Sequence, residues 1–401
     1  MLLEKSPAQA NLTANPCRLG VGLPVKLIHT RGGAEKIVAD VFGLADIRMD
    51  GARPWDIRVI NPRFYSRVLA AGTLGLGESY MDGWWDCEHL DGMFFRAIRA
   101  KLPEKSPLNL RTLLAVGAAL FLNLQSRSRS RVVGSQHYDL GNDFFAAMLG
   151  ETMQYSCAYF DDTATLDEAQ KLKMGLICRK LGLRPGLRLL DVGCGWGGLA
   201  HYAASHYGCS VVGVTISKEQ QSFAQKLCQG WPVEIRLQDY RDVTEQFDRI
   251  VSVGMLEHVG YKNYRTYMRM MHQCLKDDGL FLCHTIGDIV SHIRADPWIA
   301  RYIFPNSMLP SITDVARAAE GCFVIEDLHN FGACYDQTLL AWDKNFRQAW
   351  PSFAEQYGNR FYRMWRYYLL SCAAAFRARN IELFQFVLSK NGVPGGYASV
   401  R

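Results

Sequence analysis

The stretch LLDVGCGWGG, Leu189 to Gly198, decides the fold. An apolar strand ends in an acid, Asp191, and a Gly-x-Gly-x-Gly-Gly turn follows at once. A helical pattern begins directly after it, with Leu199, Tyr202 and Ala203 on one face. Strand, glycine-rich turn and helix in that order build a nucleoside- or dinucleotide-binding crevice at the carboxyl end of a parallel strand. Gly193 and Gly195 let a ligand approach the backbone where a Cβ would collide.

Outward from this turn, strand and helix periodicities alternate. Strands are expected at 187–192, 209–215, 233–238, 248–254 and 279–285, with helices between them. Such a series predicts an α/β fold with a doubly wound, mostly parallel sheet. A polar, Pro-containing stretch, 287–320, interrupts the series after a strand's carboxyl end and predicts a lid over the site. FVIEDL (Phe323 to Leu328) returns to strand, an amphipathic helix runs from Tyr362 to Arg379, and ELFQFVL (Glu382 to Leu388) is a last strand. A helix followed by a final strand suits a class I methyltransferase sheet, a Rossmann-like arrangement, better than a dehydrogenase.

Residues 1–20 are polar and dotted with Gly and Pro, and read as loose. From Ala34 to Leu102 the pattern is compact α+β: a short strand at Ile57, Val59 and Ile60, then a helix opened by Asn61 and Pro62 and running through Leu69. GLGESYMDGWW (Gly75 to Trp85) and the following Phe94 and Phe95 are dense in aromatics, which serve either as core or as cover for an acyl chain or subunit interface. The division is 1–102 as an N-terminal accessory domain, 103–135 as a linker and 136–401 as the catalytic domain.

At 401 residues and 49% hydrophobic content the chain can bury a sizeable core, and its net charge of +6 is mild. The 12 cysteines are scattered, with no Cys-x-x-Cys pair and no zinc spacing, so reduced thiols and no metal site are expected. The opening MLLEKSPAQ lacks an apolar signal core, which points to the cytoplasm. LLAVGAALFLNL (Leu113 to Leu124) is too short to span a bilayer. With the following SRSRSR (Ser126 to Arg131) it reads either as a helix before a solvated loop or as a basic element resting on anionic headgroups.

Three features turn the nucleoside reading toward S-adenosylmethionine. The acid Asp191 stands just before the glycines, where it can hold the turn amides and the ligand's ammonium group. The second strand ends GVTIS (Gly213 to Ser217) without the carboxylate that a nicotinamide enzyme uses for ribose, leaving Thr215 and Gln220 for ribose or adenine. Asp239, in LQDYRDV at the end of the third strand, stands where adenine N6 is held, or else caps a turn.

Further strings narrow the substrate: HYDLGNDFF (His137 to Phe145), MQYSCAYF (Met153 to Phe160), VGVTISKEQ (Val212 to Gln220), VSVGMLEHVG (Val251 to Gly260), HTIG (His284 to Gly287), DPWIARYIFPN (Asp296 to Asn306) and YDQTLLAW (Tyr335 to Trp342). With GLGESYMDGWW, this order of strings closely resembles the cyclopropane-fatty-acyl-phospholipid synthases, which add a methylene from S-adenosylmethionine across a cis double bond of a membrane phospholipid. The resemblance runs from about Asp56 to the last strand. It implies that Tyr155, Ser156, Gly193, Gly195, Thr215, Ile216, Gln220, Tyr240 and Val253 line the S-adenosylmethionine pocket, beside Asp191 and Asp239. It implies that Cys157 (through its backbone), Glu257, His284, Ile286 and Tyr335 form a bicarbonate pocket. It further implies a homodimer working peripherally on the inner face of a membrane, with no nucleic acid, and an accessory domain for lipid binding or dimerisation. Leu256 departs from the family, where Phe is expected, and bears on the shape of the acyl channel.

The chemistry is consistent with those residue types. An alkene is a weak nucleophile, so positioning against the sulfonium methyl is the main lever. Methyl transfer leaves a carbocation that the faces of Tyr155, Tyr159, Phe160 and Tyr335 can stabilise. A base must then remove a proton from the new methyl. Glu257 could instead cap a helix, His284 could be a satisfied core histidine, and Tyr335 could be packing. Capture of the cation by water or a hydride shift, methylation of a small soluble acceptor, and an inactive lipid binder are the rival functions.

Overall fold

The structure is a computed structural model that describes residues 33–102, 140–161, 165–292 and 295–401. The expected linker and its Arg127, Arg129 and Arg131 lie outside the described residues, as do the start of the catalytic segment at 136–139 and the first 32 residues. The segment 33–102 begins with helix α1 (Ala34–Gly43), followed by β1 (Arg58–Val59), α2 (Arg63–Met81), β2 (Trp85–Asp86) and α3 (Leu90–Arg99). β1 and β2 pair antiparallel. Helix α2 outruns its expected end at Leu69 because it breaks at Gly72 and resumes.

After α4 (Asn142–Leu149) and α5 (Leu166–Lys180) comes the alternating series: β3 (Arg188–Val192), α6 (Gly198–Tyr207), β4 (Ser210–Thr215), α7 (Lys218–Leu227), β5 (Val233–Leu237), β6 (Phe247–Val253), α8 (Leu256–Val259), α9 (Tyr264–Cys274) and β7 (Leu275–Asp288). The inserted segment carries α10 (Pro297–Tyr302) and α11 (Ile312–Ala319). The chain closes with β8 (Val324–Asn330), α12 (Ala333–Ala349), α13 (Ala354–Arg377) and β9 (Ile381–Ser389). Caps follow the sequence: Thr165, Ser217 and Ser311 accept from backbone amides in the first turns of α5, α7 and α11.

The seven strands are ordered β5-β4-β3-β6-β7-β9-β8. β5, β4, β3, β6 and β7 run parallel, and β9 enters antiparallel between β7 and β8. This is the class I methyltransferase sheet expected from the sequence. β7 is longer than expected at both ends: it meets β6 from Leu275 onward and pairs with β9 as far as Asp288. The order reverses between β3 and β6, so the crevice for a ligand opens at the carboxyl ends of β3, β4 and β6.

The aromatics of the first segment are core. Trp85 is fully buried, and Phe94 meets Tyr367 of α13 edge-on at 4.9 Å. Arg363 lies over the Tyr80 ring and donates to the Trp85 carbonyl at 2.7 Å. Arg377 bridges Asp336 of α12 and Asp91 of α3, both at 2.8 Å. The segment therefore shares one hydrophobic core with α12 and α13.

The insertion is a pinned cover. Trp298 of α10 is 1% exposed, lies tilted against Tyr367 at 4.4 Å and presses on Gly77, where a Cβ would meet its ring at 2.3 Å. Tyr302 donates to Glu78 at 2.9 Å. Downstream, the Met308 amide donates to the Glu257 carbonyl at 2.9 Å, so the insertion closes over that residue. Leu256 is fully buried among Tyr264, Met268 and Phe384, so it fills the core and is not among the residues of the ligand cleft.

Candidate active site

A cleft opens at the carboxyl ends of β3, β4, β5 and β6. Asp191, Gly193 and Gly195 form its floor from the first turn, Thr215, Ile216 and Gln220 its second wall, and Asp239 and Tyr240 its third. Tyr155, Ser156 and Val253 complete it. The residues expected to bind S-adenosylmethionine are thus brought to one cavity. Gly193 has φ +80°, and a Cβ there would press on the Met255 sulfur at 3.3 Å, so the turn requires glycine.

Two details differ from expectation. The amides of Gly193 and Cys194 donate to the Val214 carbonyl at 3.0 and 3.1 Å, not to Asp191. The parallel neighbour β4 presents that carbonyl to the turn, which leaves Asp191 Oδ2 buried with no partner among the described residues. Burial pushes the Asp191 carboxyl up to about 7. Asp239 both lines the cleft and caps a turn: it accepts from the Arg241 amide at 3.0 Å and from the guanidinium at 2.8 and 2.6 Å. At the second wall, Thr215 donates to Gln220 Oε1 at 2.8 Å.

These features suit the nucleoside co-substrate. The orphaned acid at the glycine turn matches a cationic amino group, and the Thr215–Gln220 pair offers neutral polar atoms at the end of β4. His258 also lines the cleft, and burial pushes its imidazole down to about 4, so it is neutral.

The second group, Cys157, Glu257, His284, Ile286 and Tyr335, lies outside the cleft lining but joins it along the chain. Cys157 follows Ser156, and Glu257 sits two residues beyond Met255. The Gly254 amide donates to the His284 carbonyl at 2.9 Å, which ties the cleft edge to β7. Glu257 Oε1 accepts from the Ile286 amide at 2.7 Å, while Oε2 is buried with no partner among the described residues. Burial pushes Glu257 up to about 7, opposed by its backbone hydrogen bonds and by the Thr285 side chain.

His284 is held between strands. Gln385 of β9 donates to its Nδ1 at 3.0 Å, so the ring proton sits on Nε2. Nε2 is buried without a partner among the described residues, and burial keeps the ring neutral, well below its ordinary pKa. Tyr335 stacks on Phe376 at 4.5 Å and lies within electrostatic reach of Cys157, Tyr155 and Glu257. Burial holds its phenol well above the usual range. Cys157 is fully buried, with its thiol pushed up by burial and bonded to the Ala158 carbonyl at 3.1 Å; it is not a nucleophile. Beside this pocket, Tyr155 shares a hydrogen bond with Tyr368 at 3.0 Å, and its ring packs 5.3 Å from Trp342.

Glu257 Oε2 and His284 Nε2–H are buried polar atoms with no partner among the described residues, one able to accept and one able to donate. A small oxyanion that carries a hydroxyl, such as bicarbonate, matches that pair of needs. Among the described residues no group of His, Cys, Asp and Glu could hold a metal, and the cysteines form no disulfide.

Sequence reasoning missed two buried residues. Gln385 fixes the His284 tautomer, and its one signal in the sequence is that it is a polar residue inside the otherwise apolar run LFQFVL. Lys173 is fully buried in α5 behind the cleft. Its spacing from Gln170, Met174 and Ile177 already put it on the inward face of the helix.

The mycolic acid cyclopropane synthetase family model matches residues 125–386. The chain is 54% identical over 366 residues to the cyclopropane-fatty-acyl-phospholipid synthase of Escherichia coli (strain K12), covering 91% of this chain and 96% of that protein. It is 32% identical to the tuberculostearic acid methyltransferase of Mycobacterium tuberculosis, over 94% and 90% of the two chains. A crystal structure of a mycolic acid cyclopropane synthase complexed with SAH and CTAB superposes with TM-score 0.61 at 35% identity, over 65% of this chain and 98% of that one. Sheet order, cleft and relatives agree, and the chain belongs to the mycolic acid cyclopropane synthetase family of class I methyltransferases.

Proposed function

We propose that this protein transfers a methylene from S-adenosylmethionine to a cis double bond in an acyl chain of a membrane phospholipid, forming a cyclopropane ring. The observation that carries the reading is a nucleoside cleft joined through the chain and the Gly254–His284 hydrogen bond to two buried, unpartnered atoms, Glu257 Oε2 and His284 Nε2. The 54% identity to a phospholipid-acting synthase supports the substrate class.

In this reading the alkene's electron pair attacks the sulfonium methyl. A carbon–carbon bond forms, the sulfur–methyl bond breaks, and S-adenosylhomocysteine leaves. The cleft residues hold the co-substrate so that its methyl faces the junction at Ser156–Cys157 and Met255–Glu257. Tyr155 and Tyr335 bring aromatic faces to the cation left on the chain, each contributing about 0.5–2 kcal/mol. Loss of a proton from the new methyl closes the ring.

Bicarbonate held here would supply a weak base for that proton beside a reactive sulfonium. Glu257 Oε2 would accept its hydroxyl, and His284 Nε2–H and the Tyr335 hydroxyl would donate to its oxygens. Gln385 keeps the His284 proton on the correct nitrogen.

The membrane reading rests on the substrate and on the basic 126–131 stretch; among the described residues no helix is long and apolar enough to cross a membrane. We also propose that 33–102 is an accessory element that braces α13, and that the protein works as a cytoplasmic, peripheral homodimer. Incubation with S-adenosylmethionine and vesicles of cis-monounsaturated phospholipid, followed by lipid mass spectrometry, tests the function. The product expected is the lipid plus one CH2 with the alkene lost. A methyl-branched or hydroxylated lipid would instead favour the alternative fate of the same cation.

A further inference from the structure

Lys173 is a charged side chain with no surface exposure, and nothing in the reaction above uses it. Its ammonium donates to Gln154 Oε1 at 2.8 Å and to Ser156 Oγ at 2.8 Å. One helical turn earlier, Gln170 donates to the Ser156 carbonyl at 2.9 Å and reaches the Gln154 carbonyl at 3.4 Å. Helix α5 therefore clamps the strip 154–156 that walls the cleft.

The polarity of those bonds has a consequence. A lysine ammonium can only donate. It takes up the acceptor side of both Gln154 and Ser156, and the Gln154 amide donates to the Thr152 carbonyl at 3.5 Å, so the Ser156 hydroxyl proton is the group left to face a ligand. A hydroxyl whose oxygen is engaged by the Lys173 N–H groups offers its proton to an acceptor, and a carboxylate is the strongest acceptor available to it. The cleft holds one acid of opposite character nearby, Asp191, with Oδ2 unpartnered among the described residues. Burial pushes Lys173 down and Asp191 up, and each partly offsets the other. A buried donor wall and a buried acid together match a zwitterion, which the amino-acid end of the co-substrate is.

We propose that Lys173 is a positioning residue that makes the cleft selective for the amino-acid end of its nucleoside ligand, by turning the Ser156 hydroxyl proton toward the ligand's carboxylate. The inference rests on the S-adenosylmethionine reading and deepens it.

The test compares binding of S-adenosylhomocysteine with that of methylthioadenosine, which lacks the amino-acid end, by calorimetry on the full chain. Lys173→Met should weaken S-adenosylhomocysteine by about tenfold or more, the loss of one or two ordered hydrogen bonds, and leave methylthioadenosine within about twofold. Ser156→Ala should reduce the same ratio, and the double variant should lose less than the two single losses combined. Equal weakening of both ligands, or an unchanged ratio, would overturn the proposal. If Lys173→Met does not fold, Ser156→Ala decides alone: an unchanged ratio there overturns it. Failure of the wild-type protein to bind S-adenosylhomocysteine would overturn the co-substrate reading itself, a distinguishable result.

Discussion

Glu257→Gln separates a catalytic acid from a structural one, because the two roles move stability and turnover in opposite directions. The Glu257 carboxyl is pushed from 4.5 up to about 7 by burial. Between those values the folded state holds a proton that the unfolded chain has released, so stability falls as pH rises. The cost begins near pH 4.5, is complete above pH 7, and amounts to about 3 kcal/mol at 1.36 kcal/mol per pKa unit. Glutamine is a neutral isostere that still accepts from the Ile286 amide through its carbonyl, and it removes this cost. The variant should therefore be more stable than the wild type by about 3 kcal/mol at pH 8 and by less than about 1 kcal/mol at pH 5. At pH 8 that is a rise of about 4 °C in Tm for a chain of this length. Turnover should fall by about 100-fold or more, because the amide presents a donor where an acceptor is needed. S-adenosylhomocysteine binding should stay within about twofold, since Glu257 lies outside the cleft. Thermal melts at both pH values, calorimetry and a lipid assay read all three. A variant destabilised at pH 8, a gain independent of pH, or retained turnover would refute the reasoning.

Further expectations follow from single contacts. Gln385→Leu removes the donor to His284 Nδ1; turnover should drop by about tenfold, the worth of about one hydrogen bond, with co-substrate binding unchanged by calorimetry. Gly77→Ala places a Cβ 2.3 Å from the Trp298 ring, and denaturant unfolding should show a loss of about 1–3 kcal/mol from overpacking. Charge reversal at Arg127, Arg129 and Arg131 should weaken binding to anionic vesicles in sedimentation by about 1 kcal/mol or more per residue, with a smaller salt dependence; unchanged binding would make the segment a plain linker.

The sheet was legible because its signals are local. LLDVGCGWGG encodes strand, turn and helix within ten neighbouring positions, and ELFQFVL encodes a strand buried on both faces. The cleft followed, since parallel strands deliver their carboxyl ends to one edge. Contacts set by a different part of the chain were not legible. The turn amides bond to Val214 because β4 lies beside β3, which no reading of 189–198 alone supplies. Trp298 against Gly77 joins residues far apart in sequence, so what holds the insertion in place is not readable from 287–320 alone. Leu256 stands where the family has Phe, and its family position alone does not show that its side chain is buried in the core beside the sheet. Lys173 stood in a helix rich in Lys and Arg, where a basic residue ordinarily reaches water.

The most direct test of the central claim is the fate of a cis-monounsaturated phospholipid incubated with the purified protein, S-adenosylmethionine and bicarbonate-depleted or bicarbonate-supplemented buffer. A cyclopropane-forming enzyme with a bicarbonate base gives a product one CH2 heavier, saturated at the former double bond, formed faster when bicarbonate is restored. Measured S-adenosylmethionine binding with an unaltered lipid, or a product that keeps an alkene or gains water, would contradict it.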